Sequence, residues 1–144
     1  MRRRVLLASL PLALITGRAF AEGEAKRTGQ YVDLAPVAMP IVASGRLVNY
    51  VFVYVRINLT PSADVVRLRD KEPYFRDALV RMGHRTPFTM PTDYSRLDEA
   101  RLKASLYQAA VAIAGPGAVA SVEIMPGGGP MRRTGLPKPG AAAR

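Results

Sequence analysis

The sequence predicts an α+β fold: a small sheet of three to four strands with two or three helices packed mainly on one face. Residues 47–59, "LVNYVFVYVRINL", are β-branched or aromatic at most positions, which marks a strand. Residues 65–82 carry apolar side chains three and four apart, and a stretch from Leu102 to Ile113 repeats that helical spacing. The order strand, strand, helices, strand gives one sheet layer and one helix layer around a shared core.

The first element, "YVDLAPVAMPIV", is extended, and Pro36 and Pro40 confine it to an edge because proline cannot donate to a ladder. Ser44-Gly45 turns the chain into the long strand. Its odd positions Leu47, Val51, Val53, Val55, Ile57 and Leu59 make one apolar face, interrupted by Asn49. Its even positions Val48, Tyr50, Phe52 and Tyr54 make a second face, ending at Arg56 and Asn58. Apolar side chains on both faces place this strand in the sheet interior, covered by helices on one side and partly covered on the other.

Thr60 is suited to cap the next helix, with Pro61 at its first position. Val65, Leu68, Glu72, Phe75, Leu79 and Met82 form its buried stripe. Pro73 either kinks this stretch or splits it into two short helices. Asp77 and Arg81 can pair across one turn, and Gly83 is suited to stop the helix, with Arg81, His84 and Arg85 near its negative end. "RTPFTMPTDY" is a connector that can hold a short edge strand. Ser95-x-x-Asp98 then resembles a capping box opening a helix with Leu102, Leu106, Ala109, Ala110 and Ile113 inward and Arg96, Arg101 and Lys103 outward. "GPG" at 115–117 ends that helix. The final strand, "VASVEIM", should turn Ala120, Val122 and Ile124 inward. Were it parallel to the long strand, the crossover would be right-handed.

The two ends read differently from the middle. The chain opens "MRRRVLLASLPLALITGRAFAEGEA", with uncharged residues only between Arg4 and Arg18. A membrane span needs roughly 20 apolar residues, so a cleaved export signal over residues 1–21 is favoured over a retained anchor. Ala19 and Ala21 set the cleavage site before Glu22. Arg3-Arg4 also fits a twin-arginine signal, with ordinary export the preferred route. Residues 22–30 are a polar linker, 31–125 the folded domain, and 126–144 a disordered Pro/Gly/Arg tail. The formal charge of +10 belongs mainly to the ends. Between Glu22 and Met125 there are 13 Lys+Arg against 11 Asp+Glu, so the basic footprint of a nucleic-acid-binding domain is missing. The tail's charge can attract acidic surfaces or anionic headgroups, although a solvating role is the simpler reading. With no cysteine, disulfides and an N-terminal lipidated cysteine are excluded.

"YVDLAPVAMPIV", "YVFVYVRINL" and "DKEPYFRDALVRM", followed in register by "LDEARLKASLYQAAVAI" and "AVASVEIM", resemble the periplasmic domain of the FliL family of flagellar basal-body-associated proteins. The Glu-Pro interruption before Arg-Asp-Ala-Leu is the most telling part. The resemblance implies a fold similar to stomatin-like (SPFH) domains. It implies a structural role too: self-association and contact with stator or basal-body proteins in the periplasm, at the inner membrane. Family members are held by an N-terminal transmembrane helix, whereas this chain opens with a short export-type segment and closes with a Pro-Gly segment. On this reading Arg69, Glu72, Arg76 and Asp77 are the candidate partner contacts, and membrane contact comes only through the N-terminal segment or a partner. A soluble periplasmic binding or accessory domain unrelated to motility is the alternative.

No constellation for catalysis, cofactor or metal stands out, and a non-enzymatic role is expected. The single histidine, His84, follows a helix end among arginines, and one histidine without cysteine cannot supply a usual zinc set. Asp70, Glu72 and Asp77 are interleaved with Arg67, Arg69, Lys71 and Arg76, which reads as an ion-paired helix face rather than a carboxylate pair. Gly127–Gly129 follow a strand but precede no helix, so a phosphate loop is unsupported. Tyr50, Phe52 and Tyr54 can stack a ligand, but packing or subunit contact is the commoner use of such a row.

Overall fold

The computed structural model describes residues 29–140. In chain order the elements are β1 (Tyr31–Asp33), β2 (Val37–Ala43), β3 (Arg46–Leu59), α1 (Val65–Asp70), α2 (Glu72–Arg85), β4 (Thr89–Met90), β5 (Asp93–Leu97), α3 (Glu99–Ala114) and β6 (Val119–Pro130). The architecture is α+β, with a four-stranded antiparallel sheet, a two-stranded β4–β5 ribbon and three helices. β3 is the axis of the sheet. β1 and β2 follow one another along one of its edges, with Asp33 opposite Arg56 and Val37 opposite Val53, while β6 runs along the other. The β2–β3 turn places Ser44 at φ 49° and Gly45 at φ 71°. Two left-handed residues in succession let a two-residue loop follow the twist of its strands, which glycine tolerates and serine tolerates less readily.

β6 is antiparallel to β3, so no parallel crossover forms. α3 returns the chain to the far end of β3, where the Thr60 N–H donates to the Ala118 carbonyl at 3.0 Å and its hydroxyl to the Gly117 carbonyl at 2.7 Å. β6 therefore starts where β3 stops and runs back along it. It also continues through Pro130, five residues into the segment expected to be a disordered tail. Glycine explains the extension. A Cβ on Gly128 would lie 2.2 Å from the Phe52 carbonyl oxygen, so only glycine can pass this close to β3.

The core lies between one face of the sheet and the helices. Val51, Val53, Val55, Ile57 and Leu59 of β3 are buried against Leu68, Phe75, Leu79, Leu102, Leu106 and Ala110. Burying a side chain such as Phe75 or Leu79 contributes roughly 1.5–3 kcal/mol. Two side chains expected inward are out. The register shift between Ile41 and Val42 gives β3 an extra residue, which breaks the alternation and leaves Leu47 53% exposed. A second shift, at Asn58/Leu59, buries Val119 and Val122 together and turns Ala120 to solvent.

The helix boundaries also move. α1 is capped by Asp64, whose side chain accepts from the Arg67 N–H at 3.0 Å, rather than by Thr60. The expected bend falls at Lys71, and Pro73 occupies the first turn of a separate helix, α2, where a missing N–H costs nothing. Gly83 does not stop α2. It is buried inside it, where a Cβ would lie 2.5 Å from Cε of Met39, so its smallness lets the helix approach β2. Ser95 opens no capping box either, because it lies in β5. Asp98 caps α3 by accepting from the Arg101 N–H at 3.1 Å.

Candidate interaction surface

β3 has a second face, away from the helices, built from Tyr50, Phe52, Tyr54, Arg56 and Asn58. Phe52 and Tyr54 are 39% and 38% exposed, unusually open for aromatic side chains on a central strand. Met125 stands opposite Tyr54, extending the apolar half onto β6. The other half of this face is polar. Arg56 forks onto Asp33 with bonds of 2.6 and 2.9 Å and lies 3.8 Å from the centre of the Tyr31 ring. The hydrogen bond to Asp33 raises the Arg56 pKa further above its ordinary value. Asn58 donates to the Ser121 hydroxyl at 2.9 Å, and Glu123 stands opposite Arg56. This face is thus divided along β3 into an aromatic patch and a hydrogen-bonded polar patch, both on rigid backbone.

The charged helix offers a weaker surface. Glu72 faces inward: its carboxylate accepts from the Ala35 N–H at 3.0 Å and tethers α2 to the β1–β2 connection. Arg76 lies 3.9 Å from Glu72, and Asp77 pairs with Arg81 at 2.9 Å. Arg69 is exposed on the preceding helix and has no ion pair among the described residues. The four predicted contacts therefore do not gather into one patch: one is a structural tether and two are satisfied along their own helix. Tyr74, 65% exposed, borders a groove with Ala78, Met82 and Ile113 that sequence reasoning did not single out.

His84 lies within the last turn of α2, not beyond it, and its Nδ1 sits 2.8 Å from the Val80 carbonyl. Gly127–Gly129 belong to the irregular part of β6 beside Phe52. The expected cleavage residues Ala19, Ala21 and Glu22 lie outside the described residues. Among the described residues no helix is long and apolar enough to cross a membrane, and no three His, Cys, Asp or Glu side chains come together as a metal site.

Asn49 was visible only as a polar interruption of an apolar face. It is 3% exposed. Its Nδ2 donates to the carbonyls of Tyr94 at 3.1 Å and Arg132 at 3.0 Å, while its Oδ1 accepts from the Arg132 N–H at 3.0 Å. One side chain thus stands in for a strand and pairs with the backbone of the segment beyond β6. No family model, curated protein or solved structure matches this chain.

Proposed function

We propose that this chain is a non-enzymatic, FliL-like flagellar basal-body-associated protein, exported to the periplasm, that supports the motor stator by self-association and protein contacts. A fold similar to stomatin-like domains is part of the proposal. The observation that carries it is the ordered succession of the three resembling stretches, which occupy β1–β2, β3 and α1–α2. The Phe52–Tyr54 patch supports a contact role, since exposed aromatic side chains on a rigid strand suit a protein interface. Residues 1–21 act as the export signal, and the mature chain either moves freely in the periplasm or is held at the inner membrane by a partner. Deleting the gene tests the role: swimming should be impaired with the filament still present. Normal swimming would overturn the reading. It would favour the soluble periplasmic binding domain, for which a ligand copurifying against Phe52 and Tyr54 is the sign to seek.

A further inference from the structure

We propose that the cleft at the β2–β3 hairpin end of the sheet binds an acidic peptide segment of a periplasmic protein partner. This cleft, about 590 Å³ in volume, is bordered by Ser44, Arg46, Leu47, Tyr94, Pro137 and Lys138. It is distinct from the aromatic face and is made by the segment beyond β6. Met131 donates its N–H to the Tyr50 carbonyl at 2.8 Å, and Arg132 is then clamped through its backbone by Asn49. The same Asn49 amide holds the Tyr94 carbonyl. Asn49 thus holds the Tyr94 wall of the cleft and anchors, at Arg132, the segment that goes on to Pro137 and Lys138.

Charge defines the ligand. Arg46 and Lys138 are the charged side chains bordering the cleft, and neither has an acidic partner among the described residues. Asp93, the carboxylate beside Tyr94 in sequence, is turned to the N–H and hydroxyl of Ser95. Arg132 and Arg133 add two more cations to the segment that forms the wall. A guanidinium takes a carboxylate on two parallel bonds, and an ammonium takes one as a point charge. The floor is apolar, with Leu47 more than half exposed beside Val48, Tyr94 and Pro137. Paired cations over an apolar floor fit a chain that alternates acidic and apolar side chains.

Resting on the proposed periplasmic role, in which the export signal is removed and any hold at the membrane comes through a partner, a protein rather than a lipid surface is the occupant.

The test uses ¹⁵N-labelled protein at its native length and the synthetic peptide acetyl-Glu-Leu-Asp-Phe-Glu-amide. Saturable shifts of the Arg46, Leu47, Tyr94 and Lys138 amides are expected, weakening as salt is added. Charge reversal, Arg46→Glu with Lys138→Glu, should weaken binding about tenfold while leaving core amides in place, because two exposed ion pairs are lost. No binding, shifts confined to the Phe52–Tyr54 face, equal binding of a peptide with lysines for its acids, or stronger binding to phosphatidylglycerol vesicles would each overturn the assignment. Failure of the flagellar reading is separable: a deletion strain that swims normally sinks that reading and leaves peptide binding in place.

Discussion

At the scale of single residues, Asn49 controls more structure than its size suggests. A buried amide left without partners costs about 1–3 kcal/mol, and Asn49 satisfies its own groups together with backbone groups of Tyr94 and Arg132. Asn49→Ala should lower stability by about 2 kcal/mol in a urea titration and speed hydrogen exchange at Arg132. Unchanged stability would show that the clamp is dispensable. Asp93 offers a second check. Bonds from the Ser95 hydroxyl and N–H hold its carboxyl below the usual carboxylate value. A depressed folded-state pKa contributes stability that is present above the unfolded value of about 3.9 and lost as pH falls through the lower folded value. Ser95→Ala should therefore raise the Asp93 pKa, followed by NMR, and shrink this acid-sensitive contribution. The sequence marked Asn49 as anomalous because it broke an apolar alternation. Its partner, 83 positions away, left no local trace.

At the scale of elements, two glycines make a paired prediction. Gly83→Ala gains helix propensity of about 1 kcal/mol, and the atom in its way is the flexible end of Met39. Those effects should nearly cancel. Gly128→Ala meets the Phe52 carbonyl, which is sheet backbone, and should cost about 2 kcal/mol with a disturbed β3–β6 ladder. Gly129→Ala, with open space around it, is the control and should change stability by less than about 0.5 kcal/mol. Chemical denaturation of the three variants decides the matter, and equal losses would refute the close-approach argument. The helical stripe of Leu68, Phe75 and Leu79 was legible because periodicity reports burial directly. Caps were less so: Thr60, Asp64, Ser95 and Asp98 all have suitable chemistry, and the packing of the turn selects among them. The β-bulges that displaced Leu47 and Ala120 carry no pattern of their own.

At the scale of the molecule, the α+β class and the central place of β3 were readable, because only an interior strand is apolar on both faces. The direction and length of β6 were not, since they depend on where α3 delivers the chain and on how closely glycines can pass β3. Candidate contacts fared unevenly for a similar reason. Charge spacing found the Asp77–Arg81 pair but could not show that Glu72 turns inward to Ala35. The intact mass of the protein recovered from the cell envelope should correspond to residues 22–144 in the soluble fraction, and a full-length mass among membranes would overturn the export-signal reading. β3 and β6 also set the tempo of folding. Their partners lie from sixty to almost eighty positions apart in the chain, so the sheet cannot close until the helices between them have been made. Loop-closure entropy must be met before those contacts return any energy, which makes assembly slow relative to helix formation. Until β6 arrives, β3 keeps one edge unpaired and open to a strand from another molecule, so refolding at high protein concentration should lose yield to association.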